Sequence, residues 1–168
     1  MITKRFIKHK SGSGFTLIEV VVYLCLFAIL MGGMVTAAYS VFESSDHNQA
    51  KIMVQEEGNF LVAKIDWALS GGKAAYSPQP RILSVDKYDG SNVVITLDNC
   101  SGDITSNIFL KKGTDCFQLN NSNVQVSNLV FTHNSNPENV EAVFTLSTRT
   151  LNGTTISQDF FTTKFLRR

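Results

Sequence analysis

The chain has 168 residues, of which 17% are charged and 43% hydrophobic, a length that allows one domain with a modest core. The formal net charge is +1, but four basic residues precede position 14, and without them 11 Lys/Arg face 14 Asp/Glu, a net charge of −3. A slightly acidic body argues against a surface that binds nucleic acid through phosphate contacts.

The N-terminal segment, residues 1–14, is short and basic. The first acidic residue after this segment is Glu19, and the next basic residue is Lys51. Positive charge therefore flanks only the N-terminal side of the apolar run that follows. By the positive-inside rule, the N-terminus is expected in the cytoplasm and the rest of the chain across a membrane. The basic residues of this leader are Lys4, Arg5, Lys8 and Lys10.

Residues 15–35 form an apolar run of 21 residues, FTLIEVVVYLCLFAILMGGMV, with Glu19 as its single charge. As a helix it would span roughly 31 Å, close to the thickness of a bilayer core. Cys25 lies inside this run and is best interpreted as a small hydrophobic residue.

Three interpretations of this run are open: a buried helix of a soluble protein, a secretory signal peptide, or a retained transmembrane anchor. A small-residue site at Val35, Thr36 and Ala37 is compatible with signal-peptide cleavage and a mature start near Ala38. The run is longer than the roughly 7–15 residues of a usual signal-peptide core, which favours the anchor.

Glu19 distinguishes these interpretations further. A carboxylate in hydrocarbon costs about 2.5–3.5 kcal/mol on insertion scales, and neither a signal peptide nor a plain anchor needs one. Either Glu19 lies near the interface and tolerates its position, or it awaits a cation that is supplied later.

The sequence Gly14-Phe15-Thr16-Leu17-Ile18-Glu19, after a basic leader and before an apolar helix, resembles the type III signal of type IV pilins and type II secretion pseudopilins. The resemblance implies that prepilin peptidase cuts after Gly14 and that Phe15 becomes an N-methylated N-terminus. It also implies that Glu19 pairs with the Phe15 ammonium of a neighbouring subunit. Many pilins have a helix-breaking proline at the position of Thr36; here Gly32-Gly33 would supply the flexibility instead.

The same resemblance implies the surroundings of the protein. The partners would be prepilin peptidase, other pilin or pseudopilin subunits through helix–helix packing, the lipid bilayer and an inner-membrane assembly platform. Nucleic acid is not expected as a partner, because of the net charge given above. The chain would be a single-pass inner-membrane protein whose C-terminal domain is periplasmic or extracellular before it enters a filament.

An amphipathic helix is predicted to continue from the apolar run to about residue 70. Apolar or small residues recur at spacings of 3 and 4, which places them on one helical face, and Gly71-Gly72 ends the helix. Met53, Phe60 and Trp67 lie beside that face at heptad spacing. The face packs either on the chain's own sheet, the favoured interpretation, or on another subunit as a coiled coil. Its members are Ala50, Val54, Gly58, Leu61, Ile65 and Ala68.

The C-terminal half is predicted to form an antiparallel β-meander after a linker-like segment at residues 76–80. Asp89-Gly90, Lys112-Gly113 and Asn152-Gly153 mark hairpin turns between the strands. The expected fold is therefore α+β and pilin-like, divided into a leader (1–14), a transmembrane half-helix (15–40), an amphipathic half-helix (41–70) and a β-rich domain (71–168). The predicted strands cover residues 93–97, 107–110, 128–132, 140–148 and 160–166.

Cys100 and Cys116 flank 15 residues and would close a loop worth about 3 kcal/mol in an oxidising compartment. The three histidines, His9, His47 and His133, lack metal-ligand spacing, and no catalytic set of residues is recognisable. We therefore expect no enzymatic activity, no cofactor and no metal.

These features predict a structural filament subunit, and a minor one, because residues 158–167 resemble the closing strand of J- or W-type minor pilins and pseudopilins. The alternative is a filament-tip module for adhesion or DNA uptake, delivered by the same anchor. An enzyme on a pilin-type anchor is the third hypothesis, which the missing catalytic set disfavours.

Overall fold

The computed structural model of the protein describes residues 14–135 and 138–166; Lys4, Arg5, Lys8 and Lys10 of the predicted leader lie outside the described residues. The chain divides into two compact units, residues 1–42 and 43–168. The elements in chain order are α1 (Leu17–Leu69), β1 (Gly72–Gln79), β2 (Ile82–Lys87), β3 (Asn92–Asp98), β4 (Ile104–Lys112), β5 (Asp115–Gln118), β6 (Gln125–Ser135), β7 (Glu138–Arg149) and β8 (Thr155–Phe165).

Helix α1 ends where the sequence predicted. Gly71 has a φ of 79°, the left-handed conformation that commonly follows a helix C-terminus and that glycine adopts without steric cost. The Lys87 ammonium donates hydrogen bonds to the carbonyl oxygens of Trp67 (3.0 Å) and Ser70 (2.9 Å). A cation at this end satisfies carbonyls left without helical partners and complements the helix dipole.

The predicted buried face of the amphipathic half-helix is confirmed. All six members are buried, together with Leu69, and four of them belong to the same apolar cluster as the strands of the β-domain. Met53, Phe60 and Trp67, the three residues at heptad spacing, are 37%, 42% and 50% exposed. Packing on the chain's own sheets therefore explains the buried face but leaves these three side chains partly exposed. The four in the cluster are Val54, Leu61, Ile65 and Ala68.

The β-domain contains a five-stranded antiparallel sheet, ordered β1-β2-β3-β4-β5, and a three-stranded antiparallel sheet, ordered β6-β7-β8. The predicted antiparallel meander is present within each sheet, where consecutive strands are neighbours, but it is divided in two because the chain leaves the first sheet after β5 and starts another. The three predicted hairpin turns are confirmed, with glycines at positive φ in each: Gly90, Gly113 and Gly153.

The predicted linker at residues 76–80 is wrong, since four of these residues belong to β1. Pro78 is tolerated because β1 is an edge strand and because its pairing with β2 is irregular between Tyr76 and Gln79. Where β1 ends, the Pro80 carbonyl oxygen accepts a hydrogen bond from the Phe131 amide of β6.

The core of the β-domain includes a stacked pair of rings, Phe144 and Phe160, whose centroids are 5.5 Å apart. Gly58 of α1 faces the Phe160 ring so closely that a Cβ at position 58 would overlap it. The α+β, pilin-like fold class is thus confirmed: a long, initially apolar N-terminal helix followed by antiparallel sheets.

Candidate processing and assembly site

The residues of the predicted signal lie at the start of α1. Gly14, Phe15 and Thr16 have no regular secondary structure and are exposed, and Phe15 is 72% exposed. Apart from Gly14 itself and its chain neighbours, no atom of the described residues lies within 4 Å of the position that a Cβ of Gly14 would occupy. The Gly14–Phe15 peptide bond is therefore accessible, as the backbone of a protease substrate must be.

Thr16 is the N-cap residue of α1. Its hydroxyl oxygen accepts a hydrogen bond from the Glu19 amide at 3.4 Å, and its carbonyl oxygen accepts from the amides of Glu19 and Val20. Thr16 and Glu19 have the Thr-x-x-Glu spacing of a capping box, which the sequence contains but which its signal interpretation did not use. The residues of the signal therefore also start the helix.

Glu19 lies in the first turn of α1, where a carboxylate interacts favourably with the positive end of the helix dipole. It is partly covered, whereas every other described residue up to Ser45 is exposed. Its Oε1 accepts a hydrogen bond from the Tyr23 hydroxyl at 3.2 Å. No hydrogen bond reaches its Oε2 within the described part of the chain.

Tyr23 contacts both Phe15, the predicted new N-terminus, and Glu19, its predicted partner. Its ring packs edge-on against the Phe15 ring, with centroids 6.2 Å apart and planes at 72°, while its hydroxyl contacts Glu19. Sequence reasoning missed Tyr23. The available signal was the spacing of four residues from Glu19, which places the two side chains on one helical face.

Among the described residues, α1 is long and apolar enough to cross a membrane. Its most apolar 18-residue stretch has a mean hydropathy of 2.4, and no part of that stretch is buried. The helix runs without a break through Gly32 and Gly33, and the Thr36 hydroxyl donates a hydrogen bond to the Gly33 carbonyl oxygen at 2.9 Å. Cys25 is a free, exposed thiol within this apolar segment.

The structure brings Cys100 and Cys116 together as a disulfide, with Cα atoms 5.9 Å apart. Cys116 belongs to β5, and Cys100 belongs to the β3–β4 loop, which the Asn99 side chain organises by accepting hydrogen bonds from the amides of Ser101 and Asp103. The pairing register places Cys116 on the same sheet face as Phe109 and Thr96. Both of these are buried although they point away from the core, so we infer that the tethered loop covers them.

Comparison with known proteins gives one match. The model of the prokaryotic N-terminal methylation motif matches residues 10–35, a range that includes Gly14, Phe15, Glu19 and Tyr23. No curated protein and no solved structure matches the chain.

Proposed function

Because the chain carries a type IV pilin-family signal, we propose that it is a structural subunit of a type IV pilus-like or type II secretion-type filament. Prepilin peptidase would cut after Gly14 and the new N-terminus, Phe15, would be methylated. The observation that carries the proposal is the methylation motif at residues 10–35, at the start of an exposed apolar helix of membrane-spanning length.

Cleavage would create a cationic partner for Glu19, whose contact among the described residues is with the neutral Tyr23 hydroxyl. It converts the amide nitrogen of Phe15 into an ammonium at the start of the apolar helix, where a cation is as costly as the carboxylate of Glu19. In a filament, the ammonium of one subunit would pair with Glu19 of its neighbour. Such a pair compensates two charges that would otherwise remain unpaired in an apolar environment.

The apolar helix and the signal support membrane anchoring before assembly. We propose that the N-terminus faces the cytoplasm, where the basic leader would stay, and that the β-domain lies on the periplasmic or extracellular side. The Cys100–Cys116 disulfide is consistent with that side, because disulfides persist in oxidising compartments. An inner-membrane assembly platform would then extract the subunit into the filament.

The proposal is tested by N-terminal sequencing and intact mass of the chain extracted from membranes. We expect N-methyl-Phe15 at the N-terminus of the wild type and an uncut leader in Gly14→Lys.

Glu19→Ala should be processed normally but recovered mainly in membranes rather than in sheared filaments. A mature start near Ala38 would identify an ordinary secreted protein, and normal filament incorporation of Glu19→Ala would refute the pairing.

Within this proposal, we assign the chain to the minor subunits and give it no enzymatic role. The support for the first assignment is the resemblance of residues 158–167, which include most of β8, to the closing strand of J- or W-type subunits. Quantitative mass spectrometry of purified filaments tests it, since a minor subunit is expected at a small fraction of the abundant one.

A filament-tip binding module is the second candidate, and one feature of the β-domain favours it. A cavity of about 500 Å³ is lined by the exposed rings of Tyr88 and Phe165, by Lys164 and by the backbone of Gly71 and Gly72. Aromatic walls with a few polar groups are typical of ligand sites. If this candidate is correct, Tyr88→Ala should leave filament incorporation intact and abolish adhesion of filaments to their target surface.

A further inference from the structure

Tyr23 links the two residues that the proposed function uses for assembly. Its hydroxyl donates to Glu19 Oε1 at 3.2 Å, and its ring lies edge-on to Phe15 at a centroid distance of 6.2 Å. The two contacts occur through opposite parts of one side chain, the polar tip and the ring.

The hydroxyl contact matters because of what it leaves free. A carboxylate has two oxygens with about four acceptor positions, and Tyr23 occupies one position on Oε1. Oε2 accepts no hydrogen bond within the described residues and remains available to a second donor. A donor that arrives from another subunit therefore adds to the Tyr23 bond and does not have to displace it.

The hydroxyl also acts on the orientation of Glu19. A glutamate side chain loses considerable rotamer freedom when it is fixed, and a bond formed beforehand within the helix removes part of that cost from the assembly step.

We propose that Tyr23 is a positioning residue for filament assembly: its hydroxyl orients the Glu19 carboxylate so that Oε2 receives the Phe15 ammonium of the neighbouring subunit. This inference rests on the proposed function. The ring contact with Phe15 would help to keep the start of the chain beside α1 after cleavage.

The test is Tyr23→Phe, which removes the hydroxyl and keeps the ring. The variant is produced in the cells that assemble the filament, and the fraction of mature chain in sheared filaments is compared with that in membranes by quantitative immunoblotting. We expect a loss of about threefold, the effect of an average side-chain hydrogen bond within a membrane protein. An unchanged or increased filament fraction would overturn the inference.

Tyr39→Phe is the matched control, because Tyr39 is a 73% exposed tyrosine of the same helix with no hydrogen bond from its hydroxyl among the described residues. We expect it to assemble as the wild type does. Intact mass should show that both variants are cut after Gly14 and methylated, which excludes a defect in insertion or processing.

Glu19→Gln, alone and with Tyr23→Phe, distinguishes a positioning role from a general structural one. If Tyr23 acts through the Glu19 carboxylate, the double variant should assemble no worse than Glu19→Gln alone. Additive losses would overturn the inference. If Glu19→Gln alone assembles normally, the proposed pairing itself fails; if Glu19→Gln fails to assemble and Tyr23→Phe does not, only the role of Tyr23 is refuted.

Discussion

At the scale of single residues, Gly58 shows how one missing side chain sets the approach of helix and sheet. Its position on the buried face of α1 lets the Phe160 ring lie directly against the helix backbone, and that ring in turn stacks on Phe144. The glycine costs the helix about 1 kcal/mol in propensity relative to alanine. The structure retains it because the space is already filled by an aromatic ring.

We expect Gly58→Ala to destabilise the β-domain by about 1–3 kcal/mol, since the overlap with Phe160 outweighs the gain in helix propensity. The measurement is urea unfolding of the detergent-solubilised chain, followed by the fluorescence of Trp67, the single tryptophan. Asn59→Ala, on the exposed neighbouring position, is the control and should be neutral or slightly stabilising. A higher unfolding midpoint for Gly58→Ala would contradict the packing described above.

At the scale of elements, the β3–β4 loop has a structural role that was not predicted from its sequence. It is tied by the disulfide to Cys116 of β5, whose side chain lies on the face of the first sheet that points away from the core. Thr96 and Phe109 on that face are 2% and 8% exposed. We infer that the crosslinked loop covers these two residues, which would otherwise be exposed to solvent.

We expect Cys116→Ser to lower the free energy of unfolding of the β-domain by about 3 kcal/mol, the chain-entropy effect of opening a loop of this length. The loss should be reproduced by adding reductant to the wild type, and reductant should have no effect on the variant. Cys25→Ser, which removes the free thiol, serves as the control and should leave the unfolding midpoint unchanged.

At the scale of the whole molecule, the apolar part of α1 differs from the core helix of a soluble protein, which is mostly buried. Its side chains are exposed rather than buried, so that in water it would present a long hydrophobic surface. A bilayer removes that surface from water, and about 20 apolar residues in a helix match its thickness. The length and composition of this half of the helix, together with the methylation motif, support anchoring in a membrane.

We expect the wild-type chain to remain in the membrane pellet after alkaline carbonate extraction. Replacing both Leu24 and Phe27 by Lys should release it, since each lysine near the middle of a transmembrane helix costs about 2.5–3.5 kcal/mol. Leu151→Lys introduces the same charge at a 92% exposed leucine of the β7–β8 turn and should leave the chain in the pellet. Retention of the double variant would show that another part of the chain holds it there.

The sequence by itself determined the features that depend on short-range order. The Gly14–Glu19 signal, the apolar span, the buried face from Ala50 to Ala68 and the three glycine turns follow from local chemistry or helical periodicity, and each was predictable without a structure. The roles of Gly14, Phe15 and Glu19 in cleavage, methylation and pairing stay predictions for the experiments proposed above.

Tertiary structure decided the rest. Whether Pro78 ended a strand or lay in one depended on the strand beside it, because an edge strand tolerates a missing donor and a central strand does not. The division into two sheets and the burial of Phe109 likewise depend on pairings between residues distant in sequence. Tyr23 could have been paired with Glu19 by spacing alone, but its contact with Phe15 required coordinates, because Phe15 precedes the helix and no helical periodicity fixes its position.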